Sequence, residues 1–190
     1  GGGVLFRQGA HQIDILRALC HSPVKTVKAK LFNTDPKRNT VGAHAIYLDF
    51  ENGAAATAIY NGYGGISSMD FTQHVSEWGF RQTADARKWY TANQAPQSAA
   101  QELAAKQKRA LDAIPAEAPY QPHFGLTVVC GSQGDIRQTP HGLMVCNASG
   151  QTEIHLPSHQ SPRDLVLAEL EQTWRGRGSH WHSGDWGLEN

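Results

Sequence analysis

The first sixty residues change from a helical to a strand-like pattern of apolar positions. Between Gln8 and Cys20 apolar residues recur at helical spacing, which predicts a helix. Apolar and polar residues then alternate over Val24 to Phe32 and again over Ala43 to Phe50, which is the period of a β-strand. The Asn52-Gly53 pair predicts a tight hairpin turn, and Ala54 to Tyr60 completes an antiparallel meander.

The second half of the chain returns to the strand pattern after a long connection. Residues 61 to 80 are rich in Gly and Ser and predict a connecting segment. The Ala-rich stretch from Gln82 to Ile114 predicts a helix that is broken near Pro96. Short strand-like runs separated by turns follow from Phe124 to Leu156, and Pro162 to Trp174 predicts the last helix. The tail from Arg175 to Asn190 is rich in Gly, His and Trp, and we expect it to be flexible.

This order of elements predicts an α+β fold rather than a doubly wound one. Two meanders without repeated strand–helix alternation favour an open, mostly antiparallel β-sheet with helices packed on one face. We expect residues 1 to 190 to form one domain. The other face of the sheet has no predicted cover, and monomers rarely expose a large apolar face, so we expect a homo-oligomer that pairs through it.

Composition and charge exclude several kinds of protein. The 190 residues include 17 Lys and Arg and 17 Asp and Glu, so the formal net charge is zero. A neutral chain lacks the basic surface that nucleic-acid binding requires, and no apolar run approaches the ~18 residues of a membrane span. Cys20, Cys130 and Cys146 are far apart and form no C-x-x-C pair. This favours small buried side chains in a reducing compartment, and we expect a cytoplasmic protein.

The first fourteen residues contain the strongest candidate chemistry. Glycines lead into the predicted helix, and Arg7 and His11 are four residues apart, so the two side chains share one helix face. Gly9 lets a ligand or another segment of backbone approach closely. A histidine near the start of a helix is often structural, so these residues alone leave both a structural and a catalytic role open for His11.

This opening and the meander after it resemble the C-terminal domain of the Gfo/Idh/MocA oxidoreductases. The matching positions are Gly1, Gly2, Gly3, Gly9, His11 and Asp14. Residues 124–127 (Phe-Gly-Leu-Thr) and 134–138 (Gly-Asp-Ile-Arg-Gln) resemble the phthalate dihydrodiol dehydrogenases within that family. The likeness covers most of residues 1–160.

The resemblance implies a protein of two domains. The first is a Rossmann domain that binds NAD or NADP, and the second lines the substrate cleft and forms the oligomer through its sheet. This chain has no G-x-G-x-x-G fingerprint and begins without Met. We therefore expect it to be the second domain of a longer protein, trimmed at both ends and inactive by itself, with the cofactor-binding residues elsewhere.

The resemblance also implies a site. His11 matches the family histidine that acts as acid or base on the reacting hydroxyl. Four residues earlier the family often has Asp, where this chain has Arg7, and a guanidinium binds carboxylates in two-point contact. An anionic small-molecule substrate such as a carboxylated ring is therefore predicted. Further predicted substrate contacts are Gln8, Asn61, Tyr63 and His74. We predict no metal site.

The predicted function is that of the substrate-binding half of an NAD(P)-dependent oxidoreductase. It would transfer hydride between a hydroxyl-bearing carbon of a cyclic substrate and nicotinamide. Two alternatives stay open: a non-catalytic oligomerisation module, and a lyase or isomerase of the same fold that retains its cofactor. Asp14 is expected at the surface or as a cap, and Trp186 against a further helix or a neighbouring subunit.

Overall fold

The computed structural model describes residues 3–34, 36, 41–63, 66–82, 100, 103–104, 107–108, 118–157, 162–177 and 182–188. Its contacts divide the chain into two compact units. The first comprises Gly1–Gly64 together with His180–Asn190, and the second comprises Gly65–Ser179. The sequence predicted one domain over the same range, and each unit has a sheet of its own.

The first unit is a three-stranded antiparallel sheet covered on one face by a helix. A π-helical turn, Leu5–Gly9, continues directly into helix α1, Ala10–Cys20. The strands are β1, Val24–Phe32, β2, Ala43–Phe50, and β3, Ala55–Asn61, in the order β1-β2-β3. These elements confirm the helix and the meander that the apolar pattern predicted.

The core of this unit lies between α1 and the central strand. Ile46, Leu48 and Phe50 alternate along β2 and are buried, together with Ala58 of the neighbouring strand. Half-buried residues at helical spacing pack against them: Leu5, Ile13, Leu16 and Cys20. The even-numbered residues of β2 therefore face α1, and the odd-numbered residues form what we call the outer face of this sheet.

Two local devices fix the length of α1 and of the hairpin. His21 adopts a left-handed conformation with φ 48° and its N–H donates to the Arg17 carbonyl, which ends the helix. Gly53 has φ +85°, as the predicted Asn-Gly turn requires. The Asn52 side chain also donates to the Cys20 carbonyl at 3.0 Å, so the hairpin caps the helix.

The second unit contains a four-stranded antiparallel meander. Its strands are β4, Val128–Gly131, β5, Gly134–Thr139, β6, Gly142–Asn147, and β7, Gly150–His155, paired in sequence order. The first of them begins later than the predicted Phe124, because Gly125 turns the chain with φ +82°. The α+β class and the antiparallel pairing are confirmed, and the strands form two separate sheets.

A short 3-10 helix, Ser68–Phe71, and two further α-helices lie among the described residues outside the two sheets. Helix α2, Pro162–Trp174, confirms the last predicted helix, although Leu167, Leu170 and Trp174 are exposed on it. Helix α3, Gly184–Leu188, belongs to the first unit and occupies part of the predicted flexible tail. The helix predicted over Gln82 to Ile114 lies mainly outside the described residues, as does Ser161 before α2. Among the described helices, none is long and apolar enough to cross a bilayer.

The cysteines are free, but not all are buried as the sequence predicted. Cys20 and Cys146 are half-buried and Cys130 is exposed, because β4 is the edge strand of its sheet. A hydrogen bond with Asp135 raises the pKa of the Cys130 thiol, which keeps it protonated. This thiol therefore lacks the lowered pKa of a reactive nucleophile.

Candidate functional site

The motif residues lie on the first turns of the helical run that covers the first sheet. Arg7 and His11 are exposed, and Gln8 is half-buried. Gly9 is buried, and a Cβ there would come within 3.0 Å of the Leu5 side chain and 3.5 Å of the His44 ring. The glycine thus lets the start of the helix lie close to the sheet. The roles of Arg7, Gln8 and His11 in substrate binding or catalysis stay predictions.

Gln12, next to His11, attaches α1 to the sheet. Its Oε1 lies 2.8 Å from His44 Nε2, and its Nε2 donates to the Ile59 carbonyl at 3.2 Å. Both ends of the amide are therefore used within this unit. Gln12 thus forms a structural contact between α1 and the sheet.

His44 is a buried residue that the sequence analysis missed. It is 1% exposed on β2, and its ring stacks on Tyr60 with 5.9 Å between centroids. Burial lowers the pKa of His44, so the ring is neutral at neutral pH and Nε2 donates to Gln12. Its Nδ1 has no hydrogen-bond partner in the structure. The available signal was a histidine at an even, core-facing position of the second strand.

Asn61 and Tyr63 come together at the end of β3. The Asn61 side chain accepts a hydrogen bond from the Tyr63 N–H at 2.9 Å, and the Tyr63 hydroxyl donates to Asn33 at 2.9 Å. A Cβ on Gly42 would overlap the Tyr63 ring, so this glycine makes room for the phenol. Both predicted residues line a cavity of about 450 Å³ with Phe32, Ala43, Ala45 and Ile59.

This cavity opens on the outer face of the first sheet. Asn61 pairs with Ala43, and Ile59 with Ala45, on the odd-numbered positions that point away from the α1 core. The structure brings Asn61 and Tyr63 together at the end of β3, and it places Arg7, Gln8 and His11 on the helical run at the start of the chain.

A second cavity of about 390 Å³ adjoins the first on the same face, where Lys28, Tyr47 and Thr57 line it. Asp49 nearby accepts hydrogen bonds from the hydroxyls of Tyr47 and Thr26 at 2.5 and 2.7 Å. These bonds lower the pKa of the Asp49 carboxyl, and the bond to Asp49 raises the pKa of the Tyr47 phenol. The carboxylate stays ionised and the phenol stays neutral at neutral pH.

The last predicted substrate contact, His74, stays a prediction. His74 belongs to the second unit, where Asp70 lies 3.7 Å from its ring. Its left-handed backbone, with φ 64°, is uncommon for a side chain of this size. In the part of the chain that the structure describes, no three His, Cys, Asp or Glu side chains are arranged to hold a metal ion.

Comparisons with known proteins agree with this fold. Residues 1–64 match the model of the GFO/IDH/MocA C-terminal domain. A curated relative, 1-carboxy-3-chloro-3,4-dihydroxycyclohexa-1,5-diene dehydrogenase from Comamonas testosteroni, is 30% identical over 200 aligned positions. The match covers 100% of this chain and 49% of the relative. The chain thus spans about half the length of this relative.

Solved structures show the same architecture. A protein described as a dehydrogenase, from Bordetella bronchiseptica RB50, aligns with a TM-score of 0.82 at 26% identity, covering 100% of this chain and 50% of its own. An oxidoreductase from Agrobacterium radiobacter, solved with NAD+, L-tartaric acid and magnesium, aligns at 0.52 and 19% identity and covers 96% of this chain and 42% of its own. At that identity the likeness shows the fold alone. The family predicted from the opening motif is the one whose model matches residues 1–64, the GFO/IDH/MocA C-terminal domain.

Proposed function

We propose that the full-length protein is an NAD-dependent dehydrogenase of a carboxylated cyclic diol and that this chain supplies the substrate side of its site. The observation that carries the proposal is the exposed His11, held on the first turns of a helix within the matched family domain. The curated relative supports it, because that protein is a dehydrogenase of a ring with a carboxyl and two hydroxyl groups.

The chemistry assigned to this chain is proton transfer. Oxidation of a secondary alcohol removes the hydroxyl proton together with a hydride from the same carbon. An imidazole accepts and returns protons near neutral pH, so His11 takes the hydroxyl proton and gives it back in the reverse direction. The nicotinamide ring, when bound, supplies the hydride acceptor.

The described residues do not fit a dinucleotide. Both sheets are antiparallel throughout, whereas a dinucleotide site needs a parallel strand, a glycine-rich turn and a helix N-terminus. We therefore place the cofactor site in the half of the full-length protein that lies outside this chain. NAD is the proposed cofactor and NADP is the alternative from the sequence analysis; the residues that decide between them belong to the cofactor site outside this chain.

Arg7 supports an anionic substrate. It is exposed on the turn before His11, and its guanidinium can hold a carboxylate in two-point contact while the imidazole reaches a hydroxyl. Gln8, on the same turn, is a further substrate contact in this proposal. Asn61 and Tyr63 stay substrate contacts predicted from the sequence; the cavity that they line opens on the outer face of the first sheet, which is assigned below to the oligomer interface.

Steady-state kinetics of the full-length protein on dihydrodiol carboxylates tests these roles. We expect His11→Ala to lower kcat by about 100-fold or more, the usual contribution of a positioned acid–base group. Arg7→Ala should raise KM for carboxylated substrates at least about tenfold and leave neutral diols unaffected. Arg137→Ala, an exposed arginine of the second unit, is the matched control. Equal KM values for Arg7→Ala and wild type would remove the anionic-substrate assignment.

A homo-oligomer through the outer face of the first sheet is the second part of the proposal. Ile59 is 72% exposed on that face, beside the two adjoining cavities. Pairing of this face with a second copy would cover it. Sedimentation of the full-length protein at micromolar concentration should show a dimer or larger assembly, and Ile59→Asp should shift it toward monomer. A wild-type monomer contradicts this part.

The same open sheet face is also consistent with the alternative of a non-catalytic oligomerisation module. An inactive full-length protein that still associates through this face would support it over the dehydrogenase.

We place the protein in the cytoplasm, because its three cysteines are free.

A further inference from the structure

Trp186 of α3 is held against α1 by three contacts. Its indole N–H donates to the Asp14 carboxylate at 2.5 Å, and its carbonyl accepts a hydrogen bond from Arg17 at 2.8 Å. The Arg17 guanidinium also lies over the indole ring, 4.1 Å from the centroid. His182 adds a fourth contact nearby, with Nε2 3.5 Å from the other Asp14 oxygen. The carboxy-terminal segment is therefore attached to α1 through side chains of specific chemistry.

The Arg17 side chain is buried in this contact with Trp186. Its side chain is 2% exposed, although a guanidinium is among the groups least often buried. A buried charge needs hydrogen-bond and ring partners to offset its lost hydration, and Trp186 supplies one of each. Without α3 in this position, Arg17 would lose both of these partners.

Helix α1 is held on two sides. On one side the Gln12 amide binds His44 and Ile59 of the sheet. On the other side Asp14 and Arg17 bind Trp186. At about 100° per residue, Asp14 points about 60° from His11 around the helix axis. The attachment of α3 therefore lies next to His11.

We propose that Trp186 is a positioning residue for His11. By binding Asp14 and Arg17 it fixes α1, and the imidazole is thereby held at a constant place beside the substrate. This inference rests on the proposed function for the role of His11. The attachment itself does not depend on that function and is measured separately.

Three variants of the full-length protein separate the contribution of the Trp186 ring from that of its indole N–H. Trp186→Leu removes the ring and the indole donor, whereas Trp186→Phe keeps a ring on Arg17 and removes only the donor to Asp14. Trp174→Leu is the matched control, because Trp174 is 85% exposed on α2. Hydrogen exchange of α1 amides reports the attachment without turnover, and kcat and KM on a dihydrodiol carboxylate report positioning.

We expect Trp186→Leu to exchange α1 amides at least about tenfold faster than wild type, with β2 amides unchanged. A misplaced catalytic group lowers the rate more than the affinity, so kcat should fall about tenfold or more while KM changes less than about twofold. Trp186→Phe should show smaller changes than Trp186→Leu in both the exchange rate of the α1 amides and kcat. Trp174→Leu should leave both at wild-type values.

The outcomes that overturn the proposal are distinct from failure of the proposed function. Unchanged α1 exchange in Trp186→Leu refutes the attachment whether or not the protein is a dehydrogenase. Faster exchange with unchanged kcat refutes positioning and leaves Trp186 a structural residue. If His11→Ala has normal kcat, the proposed function fails at His11 and the positioning of that side chain fails with it, while the exchange data still decide the attachment.

Discussion

Replacing Gln12 with Leu should destabilise the protein, and replacing His44 as well should recover part of the loss. The Gln12 Oε1 lies 2.8 Å from Nε2 of an imidazole that is 1% exposed. In Gln12→Leu this buried N–H has no acceptor, and Nδ1 of the same ring already lacks a partner. Both polar atoms of the ring would then be buried without hydrogen bonds.

The expected loss of unfolding free energy follows from one difference: a buried polar group left without a hydrogen-bond partner is costly, whereas removing that group as well removes the cost. A buried donor left unpaired costs about 1–3 kcal/mol, and the more exposed Gln12–Ile59 bond contributes at most about 1 kcal/mol. We therefore expect Gln12→Leu to lower the free energy of unfolding by about 2 kcal/mol. In the double variant with His44→Leu the unpaired donor is gone, so it should be about 1 kcal/mol more stable than Gln12→Leu alone.

Urea unfolding followed by far-ultraviolet circular dichroism at neutral pH measures these differences. Gln8→Leu is the control, because it removes an amide from a half-buried position on the same helical run. That variant should stay within about 0.5 kcal/mol of wild type. The reasoning is refuted if Gln12→Leu is as stable as the control, or if the double variant is no more stable than Gln12→Leu.

Three more predictions concern the same unit. Because burial lowers the pKa of His44, the unfolded chain binds a proton below about pH 6.5 more readily than the folded chain does, so the free energy of unfolding should fall as the pH is lowered through that range. In His44→Leu, the free energy of unfolding measured at decreasing pH should no longer show this contribution. Gly42→Ala should cost about 1–3 kcal/mol in urea unfolding because its methyl group overlaps the Tyr63 ring, while Gly184→Ala, with open space around it, should cost little. Asp49→Asn should return the raised pKa of Tyr47 toward 10.0, and a wild-type alkaline absorbance titration in that variant would contradict the hydrogen-bond cause.

The fold of the first unit could be predicted because its apolar period and its turn chemistry agree. The alternation along β2 places Ile46, Leu48 and Phe50 on one face, and Asn52-Gly53 sets the register of the hairpin. One helix with a matching apolar stripe can then cover only that face. The division of the strands between two sheets could not be predicted, since alternation within a strand does not specify its neighbour.

Local residue spacing predicted which candidate residues share a helical run. Contacts between residues far apart in the sequence could not be predicted. The four-residue spacing placed Arg7 and His11 on one face of a helical run, and both residues are exposed in the structure. The partners of Gln12 and Asp14 lie 32 and 172 residues away in the sequence, beyond the reach of any local pattern. The burial of Arg17 could not be predicted either, because its hydrogen-bond and ring partner Trp186 is 169 residues away in the sequence.

The contacts of α1 leave a restricted part of its surface for a ligand. At about 100° per residue, the core residues Ile13 and Leu16 occupy one sector, and Arg17 and Asp14 occupy the next. The sector that follows contains Arg7 and His11, and both side chains are exposed. The same contacts that hold the helix thus leave the cation and the imidazole together on its open side. A carboxylate on Arg7 and a hydroxyl at His11 can therefore belong to one substrate, which is why the two variants are expected to affect KM and kcat differently.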